Sequence, residues 1–268
     1  MTTTLPAGRV RAVGTPLTRA RSVLLVTLLA TSAMSWFYLG HAHHHHRTPT
    51  MGLGVGLFLL MWLAMVAASM FPTAAPMVVM VARVNANRRA NGHSWSPTSL
   101  FVAGYVLLWS AIGLGCYFAA VVIEGATPAT MWTGDSVARI AGAAIIGAGL
   151  FQFSSLKNRC LTECRSPLAF IAEHWRDGRL GAVQLGVRHG ITCAGCCWAL
   201  MVMLFPIGMT DIAAMAAVSA LIFAERVFPS GPALGRYAGY ALLVAGVAIL
   251  VHPGLLPGPA DMGSMRMG

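Results

Sequence analysis

Charge is scarce in this chain, and negative charge scarcest. Eight Asp and Glu residues stand among 268, against eighteen Lys and Arg, and charged residues make up only 10% of the total. A soluble domain carries about a quarter, so one or two soluble domains are excluded. The 57% of hydrophobic residues lie in long runs, the pattern of a polytopic membrane protein. Common catalytic motifs are missing too: there is no P-loop, no G-x-S-x-G, no H-E-x-x-H and no pair of intramembrane aspartates. No catalytic residue is assigned. Six cysteines are too few for a disulfide-framed secreted scaffold. The net charge of +10 does not point to nucleic acid. The basic residues sit in short connections between apolar runs, not in a stripe interleaved with aromatics. The first partner expected is the lipid bilayer, and no nucleic acid is expected.

Runs of about 20 apolar residues can cross a hydrocarbon core as helices. Seven are read here, at 22–40, 53–82, 99–123, 137–153, 180–205, 212–228 and 237–251; the fourth and sixth are short and rich in Ala and Gly. With the N-terminus in the cytoplasm, seven crossings leave fifteen Lys and Arg inside and Arg47, Arg139 and Arg266 outside. That asymmetry obeys the positive-inside rule and agrees with an odd number of spans. The expected fold is all-α: a multi-pass bundle in the cell (plasma) membrane, N-terminus cytoplasmic and C-terminus outside. Residues 22–252 form its single domain, and 1–21 and 253–268 are disordered tails. "RARSVLLVTLLATSA" also has the pattern of a signal peptide, but the apolar run continues through "MSWFYLG", which favours a retained span. The cytoplasmic connection 154–179, broken by Pro167, is expected to lie along the membrane with Leu168, Phe170, Ile171 and Trp175 as its apolar face.

The fifth run holds the chemistry. "RHGITCAGCCWALMVMLFP" carries His189, Cys193, Cys196 and Cys197 at i, i+4, i+7 and i+8. On a helix these point to about 0°, 40°, −20° and 80°, one stripe. A histidine in hydrocarbon normally faces the bundle interior. Thiolate, thioether and imidazole together suit a soft metal, copper before zinc. Gly190 and Gly195 permit a close neighbour or a local break in the same helix. Met70 and Met77 share a face of the second span, where Pro72 and Pro76 should kink the helix and free backbone carbonyls. Each Met or Cys taken singly reads equally as core packing. "CLTEC" places Cys160 and Cys164 on one helical face, with His174 ten residues on, a secondary metal or redox site or idle reduced thiols. "HAHHHH" puts His41, His43, His44, His45 and His46 in an outside loop that could gather metal. Glu225, beside Arg226, reads as a structural pair or an interface anchor before a proton relay.

"FQFSSLKNRCLTECRSPLAF", then "HW" and "GVRHGITCAGCCWALMVMLFPIGM", resembles a bacterial family of predicted metal-binding integral membrane proteins, a domain of unknown function. "MWLAMVAASMFPTAAPM" is similar to that family's N-terminal signature. The resemblance runs over about residues 53–251, and its H-G-x-x-C-x-G-C-C-W-x-L-M core is specific. It implies metal binding at His189, Cys193, Cys196 and Cys197; the histidine run lies outside it. The expected function is storage, delivery or passage of a metal ion, copper favoured, perhaps in maturation of a metalloenzyme, with a metallochaperone or that metalloenzyme as partner. Two rivals stay open. One is a thiol–disulfide oxidoreductase using Cys193 and Cys196, which a continuous helix at i, i+3 serves poorly. The other is a structural or assembly subunit whose cysteines only pack.

Overall fold

The computed structural model describes residues 14–41, 49–128, 134–207 and 211–255. Among these there is no strand. The helices are α1 (Gly14–His41), α2 (Val55–Ala90), α3 (Thr98–Ala126), α4 (Gly134–Phe151), α5 (Ser155–Arg165), α6 (Pro167–His174), α7 (Gly178–Val202), α8 (Leu204–Ile207), α9 (Ile212–Val227) and α10 (Gly231–Val251). Five are long and apolar enough to cross a membrane: α1, α2, α3, α7 with α8, and α10. A sixth appears if α4 and α5, bent by 65° at their junction, count as one. The expected seven differ at two places. Residues 137–153 become half of that bent pair, and α9 has 16 residues. At 1.5 Å per residue α9 is about 24 Å long, short of a hydrocarbon core of about 30 Å. α1 begins at Gly14, inside the segment expected as a tail; the rest of the expected tails, 1–13 and 256–268, and His43–His46 lie outside the described residues.

α2 stays helical through Pro72 and Pro76. Pro72 has no N–H to give the Ala68 carbonyl one turn back. α1 supplies the missing donors: Ser32 Oγ donates to Ala68 O at 2.8 Å and Trp36 Nε1 at 3.2 Å. The proline therefore docks α1 on α2. At the far end of α2, Arg88 pairs with Asp177 at 2.6 Å just before α7. Trp175 Nε1 also donates to that carboxylate, and this bond above all, with Ser94 and the Arg88 charge after it, holds Asp177 below its ordinary range.

α3 and α7 meet backbone to backbone. A Cβ on Gly104 would stand 2.2 Å from Val183 O, and one on Gly186 2.0 Å from Phe101 O. Neither position can carry a side chain without the helices parting. Small residues of this kind allow close helix packing, and here they bring Phe101 and Tyr105 of α3 against His189 and Cys193 of α7.

The connection 154–179 is built into the bundle. Ser154 caps α5, its Oγ accepting from the Lys157 N–H at 3.1 Å, and Pro167 opens α6, where a missing N–H costs nothing. α5 buries Lys157 and Leu161. Of the apolar face expected on this segment, Phe170 and Ile171 are buried, Trp175 is half-buried and Leu168 is 62% exposed.

Gly186→Ala should therefore lower stability by about 1–3 kcal/mol, the usual cost of overpacking. Gly115→Ala, at a position with open space around it, should not. Unfolding of the detergent-solubilised protein followed by circular dichroism compares the two.

Candidate metal centre

The C-terminal turn of α9 points a guanidinium into the bundle. Arg226 Nη2 donates to the Cys193 carbonyl at 3.0 Å and lies 3.1 Å from Cys193 Sγ, 2.9 Å from Cys196 Sγ and 4.0 Å from Cys197 Sγ. Its Nη1 donates to Thr73 Oγ1 of α2 at 3.0 Å. The Tyr105 hydroxyl of α3 is 3.0 Å from Cys193 Sγ. The Cys196 and Cys197 thiols turn to the Cys193 carbonyl at 3.2 and 3.0 Å. All three cysteines and Arg226 are buried.

α5 adds two more thiols. Cys164 packs, partly buried, against the core that holds Cys193, Cys196 and Cys197. Cys160 Sγ lies 2.7 Å from where a Cβ on Gly195 would stand, so that glycine is what lets α5 approach α7. Gly190 does the same for Leu108 of α3. The helix runs unbroken through both glycines, with a close neighbour at each. Sequence reading kept Cys160 and Cys164 as a secondary pair on an inner surface; the fold sets them against the α7 cluster. Cys116, on α3, lies eleven residues past Tyr105, about 16 Å along the helix.

His189 is placed otherwise. It is buried one turn before Cys193, among the rings of Phe101, Tyr105 and Phe170 at centroid distances of 5.8, 5.7 and 5.7 Å. Neither ring nitrogen has a hydrogen-bond partner among the described residues, which is uncommon for a buried imidazole. Met70 packs in the same core as the cysteines. Met77 belongs to a second core, with Phe101 and Phe170. His174 stacks on Phe170 and its Nδ1 lies 3.0 Å from the Phe170 carbonyl. Phe170 thus stands between His174 and His189. His41 ends α1, and nothing is described of its side chain.

Among the described residues, no three His, Cys, Asp or Glu side chains form a ready ligand shell. The donor chemistry nevertheless fits a soft monovalent ion. Three sulfurs of α7 gather around one fixed cation, and soft thiolate ligands select Cu(I) among other soft metals. A guanidinium is always protonated and offers only donors. Buried among sulfurs, it sets a fixed positive charge beside groups that bind metal as thiolates.

Beside this cluster lies a second polar group. Lys157 Nζ is 2.6 Å from Glu225 Oε2 and also donates to Gln152 Oε1; both ends of the ion pair are buried. Arg165 donates to the carbonyls of Glu225 and Phe228, each at 2.6 Å, closing the open end of α9. The adjacent Glu225 and Arg226 are therefore not each other's partners. Successive residues on a helix diverge by about 100°, and this divergence sends the carboxylate to α5 and the guanidinium to α7. Arg226, Tyr105, Thr73 and Lys157 went unassigned in the sequence. Two adjacent charges, Glu225 and Arg226, at the end of an apolar run were the one signal there.

Lys157→Met should leave Glu225 buried without its cation and cost about 3–5 kcal/mol. The double variant Lys157→Met/Glu225→Leu should recover most of that loss. Unfolding curves for the three proteins in detergent read both outcomes.

Residues 59–249 match the model of a family described as PpoB2, copper chaperone. No curated protein and no solved structure matches the chain.

Proposed function

The chain belongs to this PpoB2 family of copper chaperones, and from that premise we propose that it is a multi-pass protein of the cell membrane that holds Cu(I) on the buried thiols of α7 and passes it to a metalloenzyme. The observation that carries the reading is the convergence of Cys193 and Cys196 on Arg226 Nη2, at 3.1 and 2.9 Å. Loading replaces two S–H bonds by two Cu–S bonds and releases two protons, giving a bis-thiolate with one net negative charge. Arg226 cancels that charge in a place where an unpaired one is costly. The same two thiolates on Zn(II) would be neutral and leave the charge of the guanidinium uncancelled, so copper is preferred. Cys197 is a spare sulfur close enough for exchange, Met70 is a thioether in the same core, and His189 is a neutral imidazole one turn away.

Orientation follows from the basic residues. The C-terminal end of α2 and the start of α7, joined by Arg88 and Asp177, carry Arg83, Arg89, Arg176 and Arg179 at one end of the bundle. We place that end in the cytoplasm, as the positive-inside rule requires. The large apolar side chains on the outer faces, among them Val26, Leu107, Val122, Val244 and Val247, then meet lipid.

The purified protein, loaded with Cu(I) or Zn(II) under reducing conditions, should retain about one copper per chain. It should lose that copper when Cys193, Cys196 and Cys197 are all changed to Ser. Arg226→Gln should weaken Cu(I) affinity about tenfold or more, the cost of an uncancelled buried charge, and affinity should fall as acid returns the two protons. Mass spectrometry for metal and chelator competition measure these. A wild-type protein that keeps neither metal, yet cycles a disulfide at Cys193 and Cys196, would replace this account with the thiol–disulfide one. Retention of copper by the triple Ser variant would remove the thiols from the site.

A further inference from the structure

The thiols of α7 lie near one boundary of the bundle and far from the other. Arg188, five residues and about 8 Å before Cys193 on the same helix, is exposed on its outer side. An exposed guanidinium is costly in hydrocarbon, so the hydrocarbon ends near that level. In the other direction α9 runs back about 21 Å from Arg226 to Ile212, with no charged residue from Ile212 to Ala224.

On the near side the thiols are covered by α5. This helix is turned by 65° from α4, and its Arg159, next to Cys160, is exposed. With Leu161 at 0°, Lys157, Cys164 and Cys160 point to about −40°, −60° and −100°, and Arg165, Asn158 and Thr162 to about 40°, 60° and 100°. The first three turn inward: Lys157 to Glu225, Cys160 to Gly195 and Cys164 to the core. The other three, with Ser166 and Pro232, line a cavity of about 410 Å³. Amide, hydroxyl and guanidinium groups make its wall polar, and a polar cavity of that size holds water.

Leu161 stands between the two faces. It lines the cavity, yet it is 3% exposed and belongs to the core that holds Cys193, Cys196 and Cys197. One leucine side chain is therefore shared by a polar cavity and by the core of the thiols.

We propose that Cu(I) is exchanged at the basic end of the bundle, by way of the cavity beside α5, and that Leu161 is the side chain that closes the thiol core from it. The exchange partner is a thiol-bearing copper carrier on that side. Each Cu–S bond to α7 that breaks is replaced by one to the carrier. The α7 thiolates take up the protons that the carrier's thiols release, and copper stays Cu(I). This inference rests on the copper site proposed above and adds the side from which that site is served.

The test uses the full chain loaded with Cu(I) and challenged with bathocuproine disulfonate, a charged Cu(I) chelator that does not cross membranes and whose complex is read by absorbance. In detergent, Leu161→Ala should keep its copper and release it about tenfold or more faster than wild type. Leu204→Ala, a buried leucine of the same core on α8, should release it at the wild-type rate. Equal rates for the two variants, whether both fast or both unchanged, would overturn the role of Leu161. Should either Ala variant fail to fold or lose its copper, Leu161→Val and Leu204→Val are read in the same way. In sealed vesicles, trypsin cleavage after Arg176, exposed between α6 and α7, reports which end faces outward. Vesicles with the basic end outward should lose copper to the chelator and those of the opposite orientation should keep it. Loss as fast from the opposite orientation would overturn exchange at the basic end and leave the thiol site standing. A wild-type protein that binds no copper would overturn both.

Discussion

A single buried guanidinium organises this bundle. Arg226 links α9 to α2 through Thr73 and to α7 through the Cys193 carbonyl and the sulfurs around it. A charge in such a place demands compensation, and the nearby atoms that can supply it are cysteine sulfurs. That demand binds structure to chemistry. The position is kept by hydrogen bonds that cross three helices, and in the proposed function the same charge would offset a negatively charged copper–thiolate group in an apolar interior.

The rest of the fold serves that level. Glycines at 104 and 186 let α3 close on α7 and present Tyr105 to Cys193. Gly195 lets α5 in with Cys160, and the Lys157–Glu225 pair holds α5 against the end of α9. Arg165 closes the open carbonyls of α9, so that helix can stop where its guanidinium is needed. The bend between α4 and α5 and the shortness of α9 then have a common cause, since both helices end at the buried polar cluster. Among the described residues five helices, or six with the bent pair, are long and apolar enough to span, beside the seven runs read from hydropathy.

Some of the candidate site was legible. His189, Cys193, Cys196 and Cys197 share a helical stripe at fixed angles, and their burial is what a polar face in an apolar helix implies. The glycines read as places of close approach are such places. The prolines of α2 were expected to free carbonyls, and Ala68 shows where one such carbonyl finds its partners. The pairing of Glu225 with Lys157, the turn of Arg226 toward the thiols and the arrival of Cys160 beside Gly195 were not legible. Each joins residues tens of positions apart, and nothing local encodes which helix will be the neighbour.

By itself the sequence determined the helical class, the long apolar runs and the stripe of soft donors on one helix, because periodicity and hydropathy are properties of consecutive residues. Tertiary structure decided which charge faces the sulfurs and that α5 enters the bundle. Those outcomes depend on close approach at a few glycines and on the cost of leaving a buried charge alone, and both are settled only when the helices meet.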